Sequence, residues 1–137
     1  MKTCLNCSEG FIPCKNSLGL YCSTQCSSDH RYKRYVKSWL AGNEKGWSGR
    51  TRALSKHVRR WVRETRGFAC EECGWDKTHP VDGWPLTEID HIDGDAENVK
   101  PENLRVLCPN CHSMTSTFRA RNKNSKRNRV PENLVRL

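Results

Sequence analysis

Four cysteines in the second half of the chain have the spacing of a metal site. Cys70 and Cys73 form one C-x2-C pair, and Cys108 and Cys111 form another after residues 74–107. Two such pairs supply the four thiolates of a closed tetrahedral zinc site. A site of this kind holds the fold together but leaves no coordination position open. Any chemistry must therefore come from other residues in the same stretch.

A second cluster of polar side chains lies between and just after the cysteine pairs: Asp90, His91, Asn103 and His112. Phosphodiester hydrolysis needs an activated water, a cation on the phosphoryl oxygens and help for the leaving oxygen. Histidine suits proton removal because its ordinary pKa of about 6.5 leaves it neutral at physiological pH. One carboxylate with one imidazole makes a mixed site with open positions, which suits Mg²⁺, Mn²⁺ or a later metal.

The use of this cluster depends on where the chain turns. Neighbours on a regular strand point to opposite faces, so Asp90 and His91 act together only if the strand ends there. The D-G-D sequence at 93–95 is a turn signal at the right place. The alternative is a surface turn at the D-H pair, with His112 as a polar neighbour of a zinc knuckle. The presence of Asn103 in register favours the catalytic interpretation.

These residues resemble the HNH, or ββα-metal, nuclease family. The resemblance spans residues 67–118 and rests on a D-H pair, an Asn in a P-E-N-L context and a C-x2-C-H ending. The four cysteines match the zinc-stapled members. In that family a β-hairpin and a helix hold one divalent cation against the scissile phosphate. The resemblance therefore implies an endonuclease with double-stranded DNA as its partner and Mg²⁺ or Mn²⁺ as its catalytic cation.

Carried over to this chain, the family motif gives each polar residue a role. His91 corresponds to the general base, and Asp90 and His112 correspond to metal ligands. Asn103 corresponds to the middle Asn, which holds the catalytic loop and orients the base. Some relatives have a further metal-binding His where this chain has a serine. Three candidates remain for that third ligand: water, Ser116 and Asn122.

The first 28 residues contain another metal pattern. Its members are a C-x2-C pair and a C-x3-C pair: Cys4, Cys7, Cys22 and Cys26. The pattern resembles small treble-clef or FCS-type zinc fingers and predicts a second structural zinc. The alternative is a loose tail of unconnected thiols. The remaining cysteine, Cys14, is either a small buried apolar residue or a replacement for one of the four.

Composition sets the bounds of the fold. The chain has 137 residues, of which 35% are hydrophobic, and a mean hydropathy of −0.85. One or two small domains with metal staples are expected, because so little apolar surface makes a thin core. No apolar run approaches the roughly 20 residues of a membrane span. The start of the chain lacks a secretory signal, so a reducing compartment is expected, the cytoplasm of a bacterial host if the protein is phage-encoded.

Helical spacing predicts two helices between the metal patterns. Apolar residues recur at helical intervals over 32–40, with Ser28 or Asp29 as the cap and Gly42 as the end. Residues 42–50 are predicted to be a flexible linker, and 51–66 a second helix with an apolar face and a cationic remainder.

The nuclease motif itself predicts two strands and a helix. The strands are expected over 86–92 and 104–107, and the helix over 112–120 with Met114 and Phe118 facing inward.

Charge is unevenly distributed along the chain. Residues 28–66 carry a net charge of +9, residues 67–118 carry −7, and residues 119–137 carry +6. An acidic module repels DNA, so the basic segments on either side are expected to bind it. The alternative for each basic segment is a solvated face. Five residues of the second helix region are predicted to contact phosphates: Arg52, Lys56, Arg59, Arg60 and Arg63.

The sequence thus predicts a small zinc-stabilised α+β protein. Its expected segments are an N-terminal zinc finger, a basic helical segment, a ββα-metal HNH nuclease module and a basic tail, at 1–28, 29–66, 67–120 and 121–137. The expected function is metal-dependent cleavage of DNA, of the type found in phage or mobile-element enzymes, including homing endonucleases. The alternatives are a non-enzymatic zinc nucleic-acid-binding protein and a nuclease specific for branched DNA.

Overall fold

The computed structural model describes residues 1–127. Residues 128–137, which form the second part of the predicted basic tail, lie outside the described residues. The chain divides into two compact units, one over Met1–Glu44 and a second that begins at Lys45. None of the helices in the described part of the chain combines the length and the apolar character that crossing a bilayer requires.

The first unit opens with a short antiparallel hairpin. Strand β1 (Lys2–Thr3) pairs with β2 (Gly10–Phe11), and Lys2 lies opposite Phe11. The turn between the strands carries the C-x2-C pair, and the Cys4 N–H donates to the Glu9 carbonyl at 2.9 Å. This hairpin is too small to bury a core of its own, and a metal bound by the cysteines would stabilise it.

Helix α1 (Thr24–Leu40) begins earlier than predicted. Its N-cap is Ser23, whose hydroxyl accepts a hydrogen bond from the Cys26 N–H at 3.1 Å. The prediction that Ser28 or Asp29 caps the helix is therefore wrong, since both lie inside it. The earlier start places Cys26, the last cysteine of the C-x3-C pair, on the first helical turn.

The predicted apolar stripe of α1 is largely confirmed. Tyr32 and Trp39 are buried, whereas Leu40, at the last helical position, is 51% exposed. Gly42 follows the helix with a φ of 83°, a conformation that glycine adopts without steric strain, so the predicted end is also confirmed.

The second unit begins with a hairpin where a linker and a helix start were predicted. Strand β3 (Trp47–Ser48) pairs with β4 (Ala53–Leu54). Gly49, with a φ of 70°, allows the chain to reverse at once after β3. The predicted flexible linker is therefore partly ordered.

Helix α2 (Lys56–Arg66) begins later than the predicted helix over 51–66 and ends at the predicted residue. The Ser55 hydroxyl caps it by accepting from the His57 N–H at 3.2 Å, and Gly67 ends it. Val58 and Val62, one turn apart, are fully buried, as the predicted apolar face requires. Burying two such side chains stabilises the packing of this helix by about 3–6 kcal/mol.

A two-stranded hairpin forms the centre of the second unit. Strand β5 (Glu88–His91) pairs antiparallel with β6 (Leu104–Leu107), close to the predicted strands, and a single 3₁₀ turn (Pro101–Asn103) leads into β6. Both α2 and the next helix contact β6. The buried side chains of β6 are those of Leu104, Val106 and Leu107. The hairpin is therefore covered and held in register by its neighbours.

Helix α3 (Pro109–Ser113) differs from its prediction. It begins at the proline inside the C-x2-C pair, with the Cys108 sulfur accepting from the Cys111 N–H at 3.3 Å, and it ends before Met114. The predicted helix over 112–120 is therefore wrong, and Met114 is 74% exposed rather than inward-facing. Pro109, inside the C-x2-C pair, begins the helix early, and a 3₁₀ turn (Arg119–Arg121) replaces its predicted end.

Candidate active site and metal centres

Each predicted set of four cysteines comes together in the structure. The first four-cysteine cluster is Cys4, Cys7, Cys22 and Cys26, and the second is Cys70, Cys73, Cys108 and Cys111. Within each cluster the ligand atoms lie within 4.8 Å of one another. The sulfurs of Cys7 and Cys22 are 3.7 Å apart, as are those of Cys73 and Cys108. A tetrahedral zinc with bonds of about 2.3 Å would place its sulfurs about 3.8 Å apart, so both clusters fit zinc.

The ninth cysteine takes no part in either cluster. Cys14 is exposed, so the interpretation of it as a buried apolar residue is wrong. It is also absent from the first cluster, which the other four cysteines of the segment complete.

One thiol of each cluster is prepared to lose its proton. Burial raises the pKa of the Cys70 thiol, but hydrogen bonds from the backbone N–H groups of Cys108, Cys73 and Glu72 outweigh this effect. The resulting pKa is about 6. The pKa of Cys4 is likewise about 6, because burial is opposed by the backbone N–H groups around it. A thiolate at neutral pH is the form that binds zinc.

Beside the second cluster, one face of the β5–β6 hairpin carries a polar row. Glu88 and Asp90 are two residues apart on β5 and so share this face, and Arg105 lies directly opposite Asp90 on β6. The short helix α3 places His112 against Glu88 and Asp90. We call the four residues Glu88, Asp90, Arg105 and His112 the ligand row. It brings together the two predicted metal ligands, Asp90 and His112.

Contacts within the ligand row form a chain. The Arg105 Nε donates to Asp90 Oδ2 at 2.9 Å, and Asp90 Oδ1 lies 3.5 Å from His112 Nε2. The other ring nitrogen of His112, Nδ1, lies 2.5 Å from Glu88 Oε2. A cation bonded to both an oxygen and a nitrogen at about 2.1 Å separates them by about 3.0–3.4 Å. The gap between Asp90 and His112 therefore suits a shared divalent cation.

The predicted general base ends strand β5. His91 is buried, and its Nε2 has no hydrogen-bond partner among the described residues. Burial and the positive charge of Arg127 lower its pKa, while Asp90 and Asp93 oppose the shift. The imidazole is therefore neutral at physiological pH, with a ring nitrogen that no described residue contacts.

Asn103 holds the turn that follows the base. Its side-chain NH₂ donates to Asp93 Oδ1 at 2.9 Å and to the Asn98 carbonyl at 2.8 Å, and its Oδ1 accepts from the Asp93 N–H at 3.1 Å. Its own carbonyl accepts from the Ile92 N–H. These contacts fix the chain immediately after His91.

The beginning of the basic tail folds onto the same turn, which sequence reasoning missed. Asn122 Nδ2 donates to the Gly94 carbonyl, and Asn124 Nδ2 donates to the Asp93 carbonyl. Lys126 Nζ lies 2.9 Å from Asp95 Oδ2. Residues 122–126, which we call the tail strap, therefore contact the turn at residues 93–95.

The two protein candidates for a third metal ligand differ in availability. Asn122 is occupied, because its Nδ2 donates to Gly94 and its Oδ1 accepts from the Asn124 N–H. Ser116 lines a cleft of about 320 Å³ together with Arg105 of the ligand row. Neither Asp90 nor His112 lines this cleft, so the third ligand stays a prediction.

Three of the five predicted phosphate contacts are not simply exposed charges. Arg52 donates to Glu97, and Arg59 donates to the Leu54 carbonyl. Arg63 donates from Nη1 to Thr87 Oγ1 at 2.9 Å and from Nη2 to the Thr87 carbonyl at 2.6 Å. This pair of bonds ties α2 to the segment before β5, which gives Arg63 a structural role.

Of the other two predicted contacts, Lys56 is the one available to a ligand. Lys56 is exposed and has no hydrogen bond or ion pair with the described residues, and Arg60 pairs with Glu64 one turn along α2 at 2.7 Å. An exposed pair of this kind contributes only about 0.3–0.5 kcal/mol, so a phosphate can replace Glu64.

Comparison with known proteins places this arrangement in a family. The family model described as HNH endonuclease matches residues 70–118. This part of the chain belongs to the HNH endonuclease family. The match includes the second four-cysteine cluster, the ligand row and His91, so the HNH domain contains every residue of the candidate active site except the tail strap.

A phage protein is similar in sequence to part of this chain. The H-N-H endonuclease F-TflIV of Escherichia phage T5 is 42% identical to this chain over 57 residues. The alignment covers 39% of this chain and 22% of the phage protein, so the likeness is confined to a part of each. No solved structure matches the chain.

Proposed function

We propose that this protein is a metal-dependent endonuclease that hydrolyses phosphodiester bonds in DNA. The observation that carries this proposal is that Asp90 Oδ1 lies 3.5 Å from His112 Nε2 within an HNH domain. The residue after Asp90, His91, is buried, and its Nε2 has no hydrogen-bond partner among the described residues. Two lone-pair donors and a neutral base are the groups that hydrolysis of a phosphodiester requires.

The residues divide the chemistry among them. His91 takes a proton from the attacking water, which its neutral state at physiological pH allows. Asp90 and His112 would hold one divalent cation, Mg²⁺ or Mn²⁺, which when bound offsets the charge of the phosphate and of the leaving 3′ oxygen. Asn103 keeps the turn after His91 in place through its bonds to Asp93 and Asn98.

The two four-cysteine clusters serve the fold in this proposal. Each would hold one structural zinc, and neither leaves a coordination position for substrate. Zinc thiolate sites persist in a reducing compartment, which agrees with action in the cytoplasm.

Lys56 and Arg60 of α2 are the proposed phosphate contacts, with Arg52 and Arg59 as neighbours whose present partners a phosphate would have to replace. Arg63 is left out because Thr87 takes both of its terminal amino groups. The HNH domain carries few cations, so these basic residues would supply most of the attraction for DNA.

Digestion of supercoiled plasmid by the zinc-loaded chain tests this function. We expect nicked or linear product with Mg²⁺ or Mn²⁺, none with EDTA, and a rate about 10²–10⁴ lower for His91→Ala with unchanged zinc content and DNA affinity. Since His91 lies outside both cysteine clusters, its loss should not remove zinc. Cleavage by His91→Ala at the wild-type rate would refute the assigned base.

The same assay separates the alternatives. Binding of DNA without cleavage under any metal would favour a non-enzymatic zinc protein. Cleavage of a four-way junction but not of plasmid would favour a nuclease specific for branched DNA.

A further inference from the structure

The contact between His112 and Glu88 has a consequence for the candidate metal centre. The Glu88 carboxylate is a hydrogen-bond acceptor only, and it lies 2.5 Å from His112 Nδ1. In the neutral imidazole one nitrogen carries the proton and the other carries a lone pair. The hydrogen bond to Glu88 therefore places the proton on Nδ1 and leaves the lone pair on Nε2.

That lone pair faces a second one. His112 Nε2 lies 3.5 Å from Asp90 Oδ1, and an ionised carboxylate also offers no proton. Two acceptors at this distance do not attract each other, but a cation between them is bonded by both. Arg105 occupies the other oxygen of Asp90, which leaves Oδ1 as the oxygen directed at the imidazole.

We propose that Glu88 is a positioning residue that fixes the tautomer and orientation of His112, so that Nε2 is the atom presented to a divalent cation. This inference rests on the proposed function, because it takes Asp90 and His112 as the ligands. It assigns Glu88 a task that neither the cysteine pattern nor the D-H pair indicates.

The geometry distinguishes this task from direct ligation. Glu88 binds Nδ1, whereas Asp90 faces Nε2, so the two carboxylates lie against different nitrogens of the imidazole ring. A carboxylate behind a ligating histidine raises the basicity of the ligand and fixes its ring, and its loss typically costs about 10–100-fold in metal affinity.

Metal affinity provides a test that does not depend on cleavage. The dissociation constant for Mn²⁺ is measured by calorimetry on the full zinc-loaded chain, for the wild type and for Glu88→Gln. We expect binding to be about 10–100-fold weaker in the variant. The matched control is Glu102→Gln, which removes the same charge from an exposed glutamate of the HNH domain and should change affinity by less than about 2-fold.

A double-mutant cycle shows whether Glu88 acts through His112. His112→Ala should weaken Mn²⁺ binding, and adding Glu88→Gln should then cause no further loss. A further 10-fold loss in the double variant would mean that Glu88 acts on the cation directly, and unchanged affinity in either single variant would also overturn the proposal.

The tautomer provides a readout without any cation. In ¹⁵N-labelled wild-type chain, the His112 ring should show a protonated Nδ1 and a lone pair on Nε2, and Glu88→Gln should shift it toward a mixture. A wild-type ring protonated on Nε2 would contradict the inference. A chain with the expected tautomer and affinities that cuts no DNA would instead refute the proposed function alone.

Discussion

Arg63 offers the sharpest test of whether a cation on α2 serves DNA binding or the fold. Its guanidinium makes two hydrogen bonds to Thr87, which is itself buried and donates to the Phe68 carbonyl. Hydrogen bonds from a charged group contribute about 1.5–3 kcal/mol each, and partial exposure of the arginine reduces that figure. We therefore expect Arg63→Ala to lower the free energy of unfolding by about 2–4 kcal/mol.

The assay compares stability with the salt dependence of DNA binding. Urea unfolding of the zinc-loaded chain gives the first, and the slope of log affinity against log salt gives the second. Arg63→Ala should move the unfolding midpoint and leave the slope unchanged. Lys56→Ala should do the reverse, reducing the slope by about one unit.

Arg60→Ala is the matched control on the same helix. It removes a guanidinium whose ion pair with Glu64 is exposed, so its cost in stability should be about 0.5 kcal/mol or less. The reasoning is refuted if Arg63→Ala costs no more than Arg60→Ala, or if it flattens the salt slope by a full unit.

Three further predictions concern the staples, the turn and the tail strap. Elemental analysis should find two zincs per chain, and their removal by a chelator should unfold both units, since thiolate–zinc binding supplies about 10 kcal/mol or more per site; one zinc in folded protein would contradict this. Asn103→Ala removes three side-chain hydrogen bonds from the turn after His91; it should speed amide exchange in that turn and slow cleavage less than His91→Ala does, and unchanged exchange would count against the role of the asparagine. Asn122→Ala should likewise speed amide exchange at 93–95, because the Gly94 carbonyl loses its donor, whereas Lys123→Ala should not; equal exchange in the two variants would exclude a strap.

The cysteine spacings and the D-H, Asn and C-x2-C-H signals predicted both clusters and the four polar residues of the motif. These signals are legible in sequence because metal knuckles and turns are set by residues close together in the chain. The helix boundaries were less predictable. A proline inside the knuckle started α3 early, and a glycine turn made a hairpin of a segment that resembles a linker.

The tertiary structure alone decided which side chains meet. Glu88 could have been suspected, because it lies two residues before Asp90 and a strand places such residues on one face. Its contact with His112, and that of Asp90 with Arg105, depend on the register between β5 and β6 and on the placement of α3. The charge pattern suggested that Arg63 contacts DNA. In the structure α2 packs against the hairpin, and the Arg63 guanidinium donates two hydrogen bonds to Thr87. Register and packing join residues far apart in the chain, and no local pattern records such pairs.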